Sequence, residues 1–409
     1  MKMKANVILA IAAAVLAMNS CQKVPVGSRA GEAIRFTVGS EPAVTKASYS
    51  GDDDGAKERI DWTVGDQIRI YCAEASEPAD LYADYKVSSV EAPTSGNPAS
   101  KAAVGPVSGD GLVWSEENTH VFYGVYPSPA ETGSSVTSIN GNVVLASIPA
   151  SQTGTVSASG GNYVVAPNLK NMVMTSRESV KSEDLSEGDV FLHFTPLTTA
   201  IKFVLKNGTG SALSLSKVQL ISGKGKATAP VISGNFKIDL DVTAVPAAVH
   251  PYGDAYTVTW NQSYPSCTSV ASLTSTDEAA DRTLTIPFSS ALSLADQKTL
   301  TFTFFLNPVQ DFSDLYFQIV ETGGASRSIR LGYTDGTGVY FPRHKKSTVQ
   351  GLVLEKSVVL SFDPDVIPWD DERFPINPGD STSAAPVIVD WEDGEIDSLT
   401  LTSAGSSAD

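Results

Sequence analysis

Histidine is nearly absent from this chain: 409 residues hold only His120, His193, His250 and His344. No two lie three or four positions apart, which excludes the paired histidines of a helical zinc site. His193, in the strand-like run FLHF, reads as a structural histidine. A G-x-S-x-G elbow, a phosphate loop and a G-x-G-x-x-G before a helix are likewise missing. Charge is sparse, at 18% of residues, and basic residues are outnumbered 29 to 46, for a net charge of −17. Such a surface repels phosphate backbones, so no nucleic-acid partner is expected. The acidic runs Asp52–Asp54 and Asp370–Glu372 lack the alternating spacing of a calcium loop and read as solvated turns. No metal, cofactor or catalytic residue is expected, and the chain does not read as an enzyme. Cysteine is scarce too: beyond Cys21 only Cys72 and Cys267 remain, either paired or simply buried.

What is present begins at the N-terminus. Lys2 and Lys4 precede a short apolar run, Val7 to Met18, followed by Asn19, Ser20 and Cys21. The run is too short for a permanent membrane span and reads as a secretory signal. The small Ser20 before Cys21 fits cleavage by a lipoprotein signal peptidase, with Cys21 lipidated at the new terminus. Two acyl chains on one residue would hold the protein durably at a membrane. An ordinary signal peptide cut near Ser20 is the alternative. No later apolar stretch approaches membrane-spanning length.

Residues 1–20 are thus read as signal peptide and 21–32 as a polar tether. Period-two alternation then starts: Ile34, Phe36 and Val38 face one way, Arg35 and Thr37 the other. Further strands are predicted at Gln67–Cys72, Val113-Trp114, His120–Tyr126, Asn142–Ile148 and Tyr163–Ala166. A second set covers Phe191–Phe194, Ala200–Leu205, Leu213–Ile221, Asn235–Leu240, Tyr256–Trp260, Leu284–Phe288, Leu300–Leu306, Leu315–Ile319, Ser328–Leu331 and Val349–Leu354. No amphipathic helix is evident. Short strands with frequent turns indicate an all-β protein of sandwich or barrel type. The acidic segment Glu183–Asp189 marks the junction between a first domain, 33–188, and a second, 189–362. Residues 363–409 form a Pro- and Asp-rich tail in which Val387–Trp391 and Ser398–Thr402 alternate again.

Several phrases together resemble the fimbrillin family, the lipoprotein-derived subunits of type V pili. They are Ile34-Arg35-Phe36, Ile60-Asp61-Trp62-Thr63-Val64-Gly65-Asp66-Gln67-Ile68, Phe122-Tyr123-Gly124-Val125-Tyr126-Pro127, Phe194 with Ala200, Ile201 and Phe203, and Ile232-Ser233-Gly234-Asn235-Phe236. Thr45-Lys46-Ala47 stands where the family commonly has Thr-Arg-Ala. The resemblance implies two tandem β-sandwich domains of immunoglobulin or transthyretin-like kind behind a lipobox. It also implies assembly at the outer membrane into a fimbrium, with other pilin subunits as partners. A trypsin-like protease would cut between Lys46 and Ala47, removing the strand that carries Ile34, Phe36 and Val38. A donor strand of the next subunit would fill the groove, by backbone pairing with alternate side chains in pockets. The donor would be Val387, Val389 and Trp391, or Leu399 and Leu401. The tail strands could instead complete the second domain. Left uncut, the chain would be an anchor or a permanently attached surface lipoprotein.

A different reading is a glycan-binding lipoprotein of a polysaccharide-uptake system, with Trp114, Trp260, Trp369 or Trp391 as sugar platforms. Trp114 and Trp260 lie in strand-like runs and read better as core. A host or glycan ligand is compatible with either reading.

Overall fold

The computed structural model describes residues 29–40, 62–91, 101–182, 189–223, 226, 229–244, 264–270, 280–331, 341, 343–344 and 346–355. For 359–360, 363–367 and 387–388 it describes the backbone. The first strands are β1 (Phe36–Ser40), β2 (Gln67–Tyr71), β3 (Tyr82–Glu91), β4 (Lys101–Pro106) and β5 (Thr119–Tyr126). Next come β6 (Val136–Asn140), β7 (Val143–Ile148), β8 (Gly154–Ser159), β9 (Asn162–Pro167), β10 (Met174–Lys181), β11 (Val190–Pro196) and β12 (Thr199–Gly208). These lead to β13 (Leu213–Ser222), β14 (Gly234–Ala244), β15 (Tyr264–Ser269), β16 (Thr283–Leu294), β17 (Thr299–Leu306) and β18 (Leu315–Glu321). The series ends with β19 (Ser326–Leu331), β20 (Lys346–Glu355), β21 (Val359–Leu360), β22 (Asp363–Ile367) and β23 (Val387–Ile388). Among the described residues the helical turns are two short 3-10 segments, Leu169–Asn171 and Ala280–Arg282. The expected all-β class is what the chain forms.

Seven strands close into a barrel in the order β1-β11-β10-β5-β2-β3-β4, with β4 returning to β1. The first unit is therefore a sheet closed on itself, which removes the free edges of an open sandwich. Alternation dictates its interior. Ile68 and Ile70 of β2, Ala83, Tyr85 and Val87 of β3, and Val190, Leu192 and Phe194 of β11 are all buried in one apolar cluster. Their neighbours along each strand are more exposed, as the pleat requires.

The second core joins three sheets. A six-stranded sheet runs β22-β20-β12-β17-β9-β8, and two four-stranded sheets run β16-β13-β18-β19 and β15-β14-β7-β6. Strand β12 lies between parallel β20 and antiparallel β17 and buries both faces in its first half. Its near-continuous apolar run, Ala200 to Leu205, is what a central strand needs. Phe203 stacks on Phe302 and Phe317 at centroid distances of 5.3 and 5.1 Å, at the centre of this core.

The two cores interleave along the chain, unlike a division at 188/189. Strands β6 and β7 join β14, and β9 pairs with β17, although all three precede that point. Conversely β11 follows it and belongs to the barrel. Polar contacts tie the halves together: Tyr123 Oη donates to Asp241, and Arg177 Nε reaches the same carboxylate at 2.7 Å. Cys72 sits in the barrel core and Cys267 in the second, both as free thiols. Burial pushes each thiol up to about 12, so both are inert structural cysteines.

The predicted strand at Val113-Trp114 is reduced to isolated bridges from Val113 to Ala33 and Glu77. The expectation for Tyr256–Trp260 lies outside the described residues. Strand β22, in the Pro- and Asp-rich tail, is not among the predicted strands, and neither are β3, β4, β6, β8, β10 and β15. Ala, Ser and Thr dilute their apolar periodicity, and β8 is exposed at all six positions.

Candidate assembly site

The candidate site is the place of β1 in the barrel wall. The strand runs parallel to β11 and antiparallel to β4, with Phe36 opposite Val190 and Val104 and Val38 opposite Leu192 and Ala102. In the sheet order β1 is the strand between β4 and β11. Just before it, Ile34 N donates to Leu112 O at 2.8 Å and Val190 N donates to Arg35 O at 2.9 Å. Ile34, Phe36 and Val38 are 3%, 1% and 0% exposed. The sequence thus identifies the inward set, and the structure brings these three into one seat.

Each of these side chains stabilises the barrel by about 1.5–3 kcal/mol through burial alone. Three of them together rival the whole marginal stability of a domain, about 5–15 kcal/mol. Phe36 meets Tyr85 and Phe122 edge-on, at 5.1 and 5.2 Å. The floor of the seat comes from the W-x-x-G-D turn and β5. Trp62 packs edge-on against Tyr126 and Phe194, at 5.5 and 5.3 Å. Gly124 is small for a reason: a Cβ there would lie 2.7 Å from Phe194 Cζ.

Asp66 closes that turn by accepting from Thr63 N at 2.8 Å. Burial pushes its carboxyl up to about 6, with the Thr63 amide pulling the other way. The native state therefore holds the Asp66 proton more tightly than the unfolded chain. Its ionisation costs stability above about pH 6, and the cost fades as pH falls towards the ordinary value of 3.8. Asp66→Asn is accordingly expected to stabilise the barrel at pH 7 and to lose that advantage near pH 4. Chemical denaturation of both forms at the two pH values checks it.

The outward face of β1 is equally specific. Asp189, just before β11, takes Arg35 Nε at 3.2 Å and Thr37 Oγ1 at 3.1 Å. Gly39 lies under the ring of Phe191, where a Cβ would fall 2.4 Å from Cζ. His193 holds that ring from one side at 4.5 Å, and Lys101 Nζ lies 5.4 Å from its centroid. Asp189, Phe191 and Gly39 were not predicted as site residues. Their roles depend on pairings about 150 residues apart, for which the sequence carries no local signal.

The segment before β1 is also held down. Trp114 N donates to Glu32 O, Gly31 N donates to Trp114 O, and Arg29 lies over the Trp114 ring at 5.4 Å while pairing with Glu32. Trp114 is 1% exposed, so it is core and offers no sugar platform. Buried His120 meets it edge-on at 4.7 Å, and burial holds the imidazole below its usual range. Ser20, Cys21, Lys46 and Ala47 lie outside the described residues, as do Val389, Trp391, Leu399, Leu401, Trp260 and Trp369. Of the tail candidates, Val387 and Ile388 pair through their backbones with Leu360 and Val359 in a two-stranded sheet. Among the described residues no group of three or more His, Cys, Asp or Glu could hold a metal, and no helix is long and apolar enough to cross a membrane.

No curated protein matches the sequence. A candidate cell adhesion protein from Bacteroides ovatus aligns over 84% of this chain and 100% of its own, at 11% identity and TM-score 0.46. A similar protein from Bacteroides uniformis aligns over 82% and 97%, at 12% identity and TM-score 0.41. The tip fimbrial protein Mfa3 of Porphyromonas gingivalis, truncated at its C-terminus, aligns over 82% and 99%, at 8% identity and TM-score 0.29. The family described as fimbrillin-like matches residues 45–314, well over half of the 409-residue chain. This chain belongs to the fimbrillin-like family.

Proposed function

We propose that the protein is a subunit of a surface pilus, assembled by exchange of its first β-strand. It is carried to the outer membrane as a lipoprotein attached through Cys21. A cut between Lys46 and Ala47 then releases residues 21–46, taking both the anchor and β1. The next subunit supplies a strand from its C-terminal tail, and the polymer stands in a fimbrium with adhesion as its role. The protein works by binding and mechanical continuity.

The observation that carries this reading is the position of β1. It closes the barrel between two strands that do not pair with each other, and its three inward side chains are almost wholly buried. Yet β1 is the first strand among the described residues, and Lys46 follows only six residues after its end at Ser40. Removing such a strand leaves two unpaired edges and an apolar slot, a template for strand addition. An Arg29–Ala30 cut would not do this, because β1 would stay attached to the barrel.

The test is the ladder of polymers on SDS gels run without boiling. Surface-extracted wild-type protein is expected to give a ladder, and Lys46→Ala to run as a monomer. A Lys46→Ala protein that still forms the full ladder would overturn the proposed cut. Binding of the wild type to polysaccharide in affinity gels, with no ladder at all, would favour a glycan-binding lipoprotein instead.

A further inference from the structure

We propose that β8 is a pairing edge for a second copy of this chain. Two β8 strands meet antiparallel about a two-fold axis at Val156 and join two six-stranded sheets into one. The contact is side by side, so it goes beyond the end-to-end exchange of β1 and leaves the barrel untouched.

Edge strands present unpaired N–H and C=O groups, and proteins blunt them with charge, proline or a bulge. The other outer strands of the three large sheets are blunted in this way. At the far edge of the same sheet, β22 carries Asp363, Pro364 and Asp365, and the outer strand β19 carries Arg327 and Arg330. Pro265 interrupts β15, Pro287 interrupts β16, and β6 slips register between Val136 and Ser138. Strand β8 has none of these. Its residues, Gly154-Thr155-Val156-Ser157-Ala158-Ser159, are uncharged, exposed at all six positions and paired with β9 without interruption. The absence of charge is regional: no charged side chain occurs from Thr132 to Leu169, in a chain of net charge −17. Two copies so charged repel each other, and an uncharged edge is where they can meet with least opposition.

The hairpin fixes which backbone groups face outward. Gly160 and Gly161, with φ of 57° and 85°, form a two-residue turn that Ser159 and Asn162 close. The pair flanking such a turn is hydrogen-bonded, and bonded pairs then alternate along the ladder. Ser157 and Thr155 therefore bond to β9, while Ala158, Val156 and Gly154 turn their N–H and C=O groups away from it. A two-fold pair centred on Val156 matches all three: Val156 meets Val156, and each Gly154 meets Ala158 of the other copy. Thr155 then lies opposite Ser157, and the valines, each 42% exposed in the single chain, cover one another. Centring on Ser157 would set Gly154 against the turn at Gly160. So short a ladder is a weak contact for one pair of molecules. Repeated along the pilus proposed above, on which this consequence rests, it bundles neighbouring fibres by avidity.

Cysteine cross-linking of the full-length chain tests the register. In a Cys21→Ser background the remaining thiols, Cys72 and Cys267, are buried, so an added cysteine is the reporter. Val156→Cys sets two thiols on Cα atoms about 5.5 Å apart, within disulfide reach, and is expected to give covalent dimer on addition of diamide. Ser159→Cys, whose two copies lie about 20 Å apart along the ladder, is expected to stay monomeric. Val156→Lys and Val156→Glu each place like charges face to face. Each is expected to weaken dimerisation in sedimentation about tenfold, and an equimolar mixture to restore it. Both fall on an exposed side chain, so the fold is expected to survive. Wild-type protein that remains monomeric at about 1 mM, or equal cross-linking at positions 156 and 159, would overturn the proposal. So would β8 amides that gain exchange protection only when a different protein is added. Lys46→Ala is expected to keep this dimer while losing the SDS ladder. Dimer and ladder both intact in that variant would count against strand exchange alone and leave the β8 pairing standing.

Discussion

Phe36→Ala is expected to destabilise the barrel by about 3–5 kcal/mol, the usual cost of emptying a buried aromatic site. The ring is 1% exposed and touches Tyr85 and Phe122 edge-on, so its loss removes two aromatic contacts and opens a cavity between them. Neither neighbour is free to fill the space. Tyr85 Oη accepts the Leu112 amide at 2.7 Å, and Phe122 packs against Trp114. The effect should be local, because Phe36 belongs to the barrel cluster and not to the core around Phe203. Hydrogen exchange reads this directly. Amides of β4 and β11 are expected to exchange roughly two to three orders of magnitude faster, by the usual tenfold per 1.4 kcal/mol. Those of β12 and β17 should stay near their wild-type rates. Equal acceleration in both regions would mean that the cores unfold as one unit.

Removing β1 altogether should have the larger effect. A chain beginning at Ala47 lacks all three plugs, each stabilising by about 1.5–3 kcal/mol, together with the ladder hydrogen bonds on both sides. Val190, Leu192, Phe194 and Ala102 then line an open slot between unpaired edges. Such a chain is expected to bind an apolar dye such as ANS strongly and to lose exchange protection in β4 and β11. A peptide of residues 33–40 should displace the dye and restore protection. A cut chain that binds no dye and keeps its protection would show that the barrel closes without β1, and the groove would not exist.

The inward set of β1 was legible because alternation is a local signal: Ile34, Phe36 and Val38 are spaced for one face of any strand. The W-x-x-G-D turn and the β5 run Phe122–Pro127 were legible for the same reason, and both build the floor of the seat. The outward set was not. Thr37 and Asp189 are 152 residues apart, and nothing near either marks their contact. Which strands close the barrel was not legible, because closure depends on the parallel pairing of β1 with β11, on the far side of an acidic segment that reads as a domain junction. Strands β6 to β9 reach the second core through pairings that are likewise non-local, β7 with β14 and β9 with β17. Strand β8 was hidden for the opposite reason: all six residues are exposed, so it has no buried face to create a period.

In the proposed assembly β1 leaves before the polymer forms. Peptide mapping by mass spectrometry of SDS-resistant polymer from the cell surface tests it most directly. Subunits beginning at Ala47 are expected, with no peptide from residues 33–40 and Cys21 absent. Polymer whose subunits retain residues 33–40 in full yield would contradict it.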